Sequence, residues 1–204
     1  MTGDDVKAMM QVVAQAIIAN VDHLSEADRA TGDGDHGVGM RRGFEAVLGA
    51  LGSLQSPTPE QVMKTAGTAI MAKGGGASGA IFGTLFRGGS KALEGRDMLD
   101  ADGFVGFLAA ASDAVQKRGG VTEGQKTMVD ALAPAARAAV QSTLAASLAA
   151  AAKAAGDGVE ATRGMVATTG KARTLGERSL GHIDPGALSV SIILRAMRDF
   201  AAEP

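Results

Sequence analysis

Residues 31–39, TGDGDHGVG, place two aspartates, a histidine and four glycines in nine positions. Asp33 and Asp35 alternate around Gly34, and Asp28 lies five residues before Asp33, so three carboxylates converge if the loop folds back. Three hard oxygen donors suit magnesium or calcium, although the twelve-residue ligand pattern of an EF-hand and its closing glutamate are missing. An Asx-type turn joining two helices would use the same acids. The neighbouring glycines favour more than a turn, because glycine admits positive φ and lets backbone N–H groups come close to an anion. Acids beside glycines therefore suggest a metal with a phosphate. His36 has the chemistry to hydrogen-bond a phosphate or sugar, or simply to cap a helix.

A second cluster, KGGGASGAIFG at 73–83, sets glycines just before an expected helix start with Ser78 as its cap, where free N–H groups and the helix dipole attract an anion. No GK[ST] closes it, so it is not a Walker A loop. A third, GKARTLGERSLGHIDPGA at 170–187, is too polar and too rich in turn residues for a plain linker. Taken singly, Glu177 and Arg178 read as a surface ion pair and His182 as a structural residue.

Helices must position these loops. Val6, Met9, Val13, Ile17, Val21 and Leu24 form a helical stripe expected to end near Ser25, and Phe44, Val47, Leu48 and Leu51 form another. Thr58, Pro59 and Gln61 spell a capping box for a helix over 59–72, and Asp100 caps one that Gly119 and Gly120 stop. The alanine-rich stretch from Thr127 to about Ala155 reads as two helices with a break near 141–145, with Pro134 a kink or break unless it lies in a first turn. A further helix is expected through Glu160 to Thr168, and Asp184 with Pro185 opens the last. The count is seven or eight helices in an all-α fold, with no period-two strand pattern and one domain expected over 1–204.

The chain has 204 residues, 46% of them hydrophobic, with 20 Lys and Arg against 22 Asp and Glu, a net charge of -2. That balance leaves no broad basic face for nucleic acid. The absence of cysteine excludes disulfides and thiolate-held metals. No apolar run reaches the roughly 18 residues of a membrane span, and the N-terminal residues lack a signal-peptide pattern, so a cytoplasmic location is expected with no membrane partner.

In order along the chain, GDGDHG, GGASGAIFGT, GQKTMVDAL and LGERSLGHIDPGA resemble the nucleotide-binding (DhaL-type) subunit of dihydroxyacetone kinases. The resemblance covers nearly the whole chain. It implies a barrel of about eight antiparallel helices with the nucleotide, ADP or ATP, at one end, and two Mg2+ ions held by Asp28, Asp33 and Asp35. By the same resemblance, nucleotide contacts fall on His36, Gly37, Val38, Gly39, Ala77, Ser78, Gly119, Met128, Lys171, Asp184, Pro185 and Gly186.

Gly39 stands where the family commonly has asparagine, Lys171 where arginine is usual, and Thr174 where tyrosine precedes LGERS. Lysine keeps the charge of arginine but not its planar fork. The resemblance further implies that the chain offers a phosphoryl group to a sugar held covalently on a partner kinase subunit. In one branch a phosphohistidine-bearing donor subunit of the phosphotransferase system recharges bound ADP. No catalytic side chain is singled out, since phosphoryl transfer asks mainly for positioning and charge stabilisation. The alternatives are an ATP-exchanging kinase subunit for another short-chain ketose such as a tetrulose, a non-catalytic nucleotide sensor docking on a transcription factor, and a plain helical metal-binding module.

Overall fold

The structure, a computed structural model, describes residues 1–202. Its α-helices are α1 (Gly3–Ala19), α2 (Val21–Arg29), α3 (His36–Gly52), α4 (Pro59–Lys73), α5 (Gly76–Ser90), α6 (Ala101–Gly119), α7 (Val129–Ala138), α8 (Leu144–Ala161) and α9 (Pro185–Ala202). No β-strand occurs among the described residues, where the one extended pairing is an isolated bridge between Thr2 and Met98. The all-α reading holds.

Several helix starts lie where side-chain chemistry puts them. Thr58 caps α4 through its hydroxyl, which accepts the Gln61 N–H, while the Gln61 side chain accepts the Thr58 N–H. The Asp100 carboxylate caps α6, and Gly120, with φ 62°, ends it in the left-handed region. Thr143 caps α8, so the alanine-rich stretch does break between α7 and α8. Pro134 lies inside α7 and does not split it.

Three expectations need correction. The first stripe does not run unbroken to Ser25: Asn20 interrupts it, and its side-chain amide donates to the Ala16 carbonyl, one of those freed at the end of α1. That break raises the number of α-helices among the described residues to nine. Ser78 does not cap α5; Gly75 does, and Ser78 sits in the first turn with its hydroxyl on His36. The helix expected through Glu160 to Thr168 is the end of α8 followed by a single 3-10 turn, Thr162–Gly164, after which the chain runs irregularly.

Packing follows the apolar faces. α3 packs on α4, α4 on α5, α5 on α6, α6 on α7, α7 on α8 and α8 on α9, while α9 returns to α1 and α1 to α3, closing a ring with α2 laid against α3. The interior is filled by Met9, Met10, Phe44, Phe82, Phe86, Phe104 and Phe107, all but sealed from solvent. Phe86 meets Phe44 edge-on with centroids 6.3 Å apart, and it meets Phe107 at the same distance, so one aromatic column ties α3, α5 and α6 together. With the ring filled by side chains, polar groups gather where helix ends meet. Among the described residues no helix is long and apolar enough to cross a membrane.

Candidate functional site

The opening acids do converge. One oxygen each of Asp28, Asp33 and Asp35 lies within 4.8 Å of the others. The loop reaches this geometry because Gly34 takes φ 79°, a region costly for other residues. Asp28, at the end of α2, is buried and accepts the His36 N–H at 3.0 Å, so it also satisfies a free donor in the first turn of α3. Asp33 and Asp35 are exposed. Lys171 reaches this cluster from the far end of the sequence, donating to Asp33 at 2.5 Å and lying 3.6 Å from Asp35. The Lys171 hydrogen bond holds the Asp33 carboxyl below its usual range, and the same bond raises the lysine.

Asp28 and Asp35 border a cavity of about 290 Å3. Its walls come from Asp28, Asp35 and His36, from Gly75–Ser78 at the start of α5, from 126–128 before α7, from 169–172, and from Asp184–Gly186 at the start of α9. The Gly75–Ser78 wall presents the N–H groups of a helix start. Gly76 there has φ 58°, and a methyl on Gly79 would collide with the Gly74 carbonyl, so the turn into α5 is built on glycine.

His36 forms the seam between walls rather than a free ligand group. Its Nδ1 hydrogen-bonds the Ser78 hydroxyl at 2.9 Å and its Nε2 the Ser189 hydroxyl at 2.8 Å, so one ring joins α3, α5 and α9. Burial pushes its pKa down despite Asp28 and Asp35 nearby. Asp184 caps α9, accepting the Ala187 N–H at 2.7 Å. Its carboxyl lies half-buried in the cavity wall, and desolvation raises its pKa to about 7 against the pull of that N–H.

Of the residues singled out in the sequence, Asp28, Asp35, His36, Ala77, Ser78, Met128, Lys171, Asp184, Pro185 and Gly186 meet in this one cavity wall, with Asp33 joined to it through Lys171. Gly37, Val38, Gly39 and Gly119 are not part of the wall. A methyl on Gly37 would strike the Val21 carbonyl and the Ser25 hydroxyl, which makes this glycine the crossing point of α3 over α2. A methyl on Gly39 would lie 3.5 Å from the Gly75 nitrogen, so Gly39 backs the glycine turn. Gly119 ends α6. Glu177 and Arg178 are exposed and form no mutual ion pair among the described residues. Sequence reading missed Thr31, Lys126, Thr127 and Ser189, although Thr31 lay within the quoted TGDGDHGVG and Lys126 and Thr127 within GQKTMVDAL.

Three carboxylates beside a helix start define a cavity able to take a divalent cation together with an anion. The chain belongs to the DAK2 domain family, whose model matches residues 30–199. It is 39% identical to the ADP-binding subunit DhaL of PEP-dependent dihydroxyacetone kinase 1 from Listeria innocua serovar 6a, over 85% of this chain and 84% of that one. It is 34% identical to the ADP-binding subunit DhaL of the Escherichia coli K12 PEP-dependent dihydroxyacetone kinase, over 89% of each chain. Among solved structures it is similar to the dihydroxyacetone kinase of C. freundii in complex with AMP-PNP and Mg2+, with a TM-score of 0.72 and 25% identity, covering 95% of this chain. It spans only 33% of that larger chain.

Proposed function

We propose that this chain is the nucleotide-binding subunit of a dihydroxyacetone kinase, holding ADP or ATP with magnesium and presenting a phosphoryl group to a sugar on a partner subunit. The observation that carries this reading is the convergence of Asp28, Asp33 and Asp35, two of which line a cavity that the start of α5 also lines. The donor set is hard and anionic, which fits magnesium. Magnesium held by these carboxylates would neutralise the charge that develops in phosphoryl transfer.

The protein's own part is positioning. Asp28, Asp33 and Asp35 would hold two ions, a number that three carboxylates with water and phosphate oxygens are able to complete. Backbone N–H groups at Ala77 and Ser78 would receive phosphate oxygens, with the dipole of α5 behind them. Lys171, already at the acids, has the reach and charge to follow a phosphate. Met128 and Asp184–Gly186 line the same cavity and would contact the nucleotide. The histidine in the wall is engaged on both nitrogens and is assigned no proton transfer.

The sugar would be held by a separate kinase subunit. The DhaL relatives are named as parts of PEP-dependent kinases, which supports a phosphohistidine donor that recharges bound ADP. The deciding experiment is the nucleotide content of the purified chain, released by denaturation and resolved by ion-exchange chromatography, with and without prior magnesium chelation. ADP that survives gel filtration and leaves on chelation is the expected result. A site that fills and empties with ATP would instead assign an ATP-exchanging kinase subunit, and failure to bind either nucleotide would end the proposal.

A further inference from the structure

Lys126 is buried, with 2% of its surface exposed, yet it lies in the cavity wall. Burying an ammonium costs several kcal/mol unless it is paired and hydrogen-bonded, so an apolar side chain would be the cheaper filler here. The residue also takes φ 60°, in the left-handed region that non-glycine residues rarely occupy. A costly group in a costly conformation calls for specific contacts, and they are present.

The ammonium donates to the Thr162 carbonyl and to the His182 carbonyl, each at 2.5 Å. The first belongs to the turn that ends α8, where a positive charge is favoured, and that carbonyl also accepts the Met165 N–H at 3.1 Å. The second belongs to the segment entering α9. One side chain therefore joins three stretches of chain: its own loop, the end of α8 and the approach to α9.

The same junction is reinforced around it. The Thr162 hydroxyl accepts the Asp184 N–H at 2.9 Å and donates to the Val159 carbonyl at 2.6 Å. The buried Asp130 carboxylate accepts the Gly124 N–H at 2.5 Å and the Thr127 N–H at 2.7 Å, fixing the loop that carries Lys126. Asp184 and Asp130 are the acids whose charge favours the ammonium against its burial.

We infer that Lys126 is the positioning residue for the nucleotide end of the cavity: by clamping the Thr162 and His182 carbonyls it fixes the 182–186 turn that forms that wall. The inference rests on the nucleotide reading of the cavity. Its ammonium does not reach the aspartate cluster, so it shapes the wall without holding the cation.

The test separates these two roles. ADP binding in the presence of magnesium is measured by calorimetry, and Mn2+ binding without nucleotide by loss of the free-ion paramagnetic resonance signal. The unsubstituted chain, Lys126→Gln and Lys126→Met are compared. Losing charged hydrogen bonds of this kind is expected to weaken ADP binding about tenfold or more in Lys126→Met. Lys126→Gln, which keeps an N–H donor, is expected to fall between, while Mn2+ affinity stays level across the series. Amide exchange over 182–188 should quicken in the same order. If Lys126→Met does not fold, Lys126→Gln decides: weaker ADP binding with unchanged Mn2+ binding supports the inference. Equal ADP affinity in all three chains, or parallel loss of ADP and Mn2+ binding, overturns it and leaves the nucleotide reading standing. No ADP binding by the unsubstituted chain overturns both.

Discussion

Asp28 and Asp33 belong to one cluster but do different work. Asp33 is exposed and touches no backbone group outside its loop, whereas Asp28 is buried and accepts the His36 N–H. Asp33→Ala is therefore expected to abolish magnesium-dependent nucleotide binding while leaving the urea midpoint unchanged. Asp28→Ala should lose binding and also about 1 kcal/mol of stability, as losing a helix cap does. Equal midpoints for the two variants would show that the Asp28 contact to α3 carries no stability. The three aspartates were legible because they fall within eight residues, where spacing constrains geometry. Lys126 was not, although it sits inside a quoted motif. Its partners are backbone carbonyls 36 and 56 residues away, which leave no mark in residue type. The Ser189 hydroxyl on His36 is hidden for the same reason, at a separation of 153.

Helix starts were readable where the signal was a side chain acting over three residues, as at Thr58, Asp100 and Asp184. Breaks decided by the chain's wider surroundings were not. Nothing about the stripe from Val6 to Leu24 marks Asn20 as its interruption, and the cap of α5 is Gly75, which follows a Gly74 pressed against Gly79, not the nearby serine. The same close approach governs how α4 meets α5. A methyl on Gly67 would lie 2.7 Å from the Arg87 backbone nitrogen and 2.8 Å from the Gly83 carbonyl oxygen, contacts with main chain that no side-chain rotation relieves. Gly67→Ala raises helix propensity, yet the crossing should dominate, with a net loss of about 1–3 kcal/mol from overpacking. Urea unfolding of this variant measures the balance, and a stabilised protein would show that α4 and α5 are free to separate.

At the scale of the whole molecule, stability responds to pH through desolvated groups with opposite signs. Asp184 has its carboxyl raised from 3.8 to about 7. Below pH 3.8 both folded and unfolded chains carry it neutral. As pH rises from there, the unfolded chain releases a proton that the folded chain keeps, so stability falls until pH passes about 7, at about 1.4 kcal/mol per unit. His36, held below 6.5 by burial, brings stability that is present above 6.5 and lost as pH falls. Comparing Asp184→Asn with the unsubstituted chain isolates the first effect: the variant should lose the decline between pH 4 and 7 and keep the loss in acid. Parallel curves would show that the Asp184 carboxyl is not raised in the folded chain. The order of neighbours around the ring was not legible, because it depends on which apolar faces meet and not on any one of them. That ring has a consequence for biosynthesis. The wall residues Asp28 and His36 leave the ribosome early, but Asp184, which lines the same cavity, and Ser189, the partner of His36, leave with α9. A nascent chain therefore carries its acidic loop through the synthesis of the 153 residues that separate His36 from Ser189 before the cavity closes, so assembly of that cavity waits for α9.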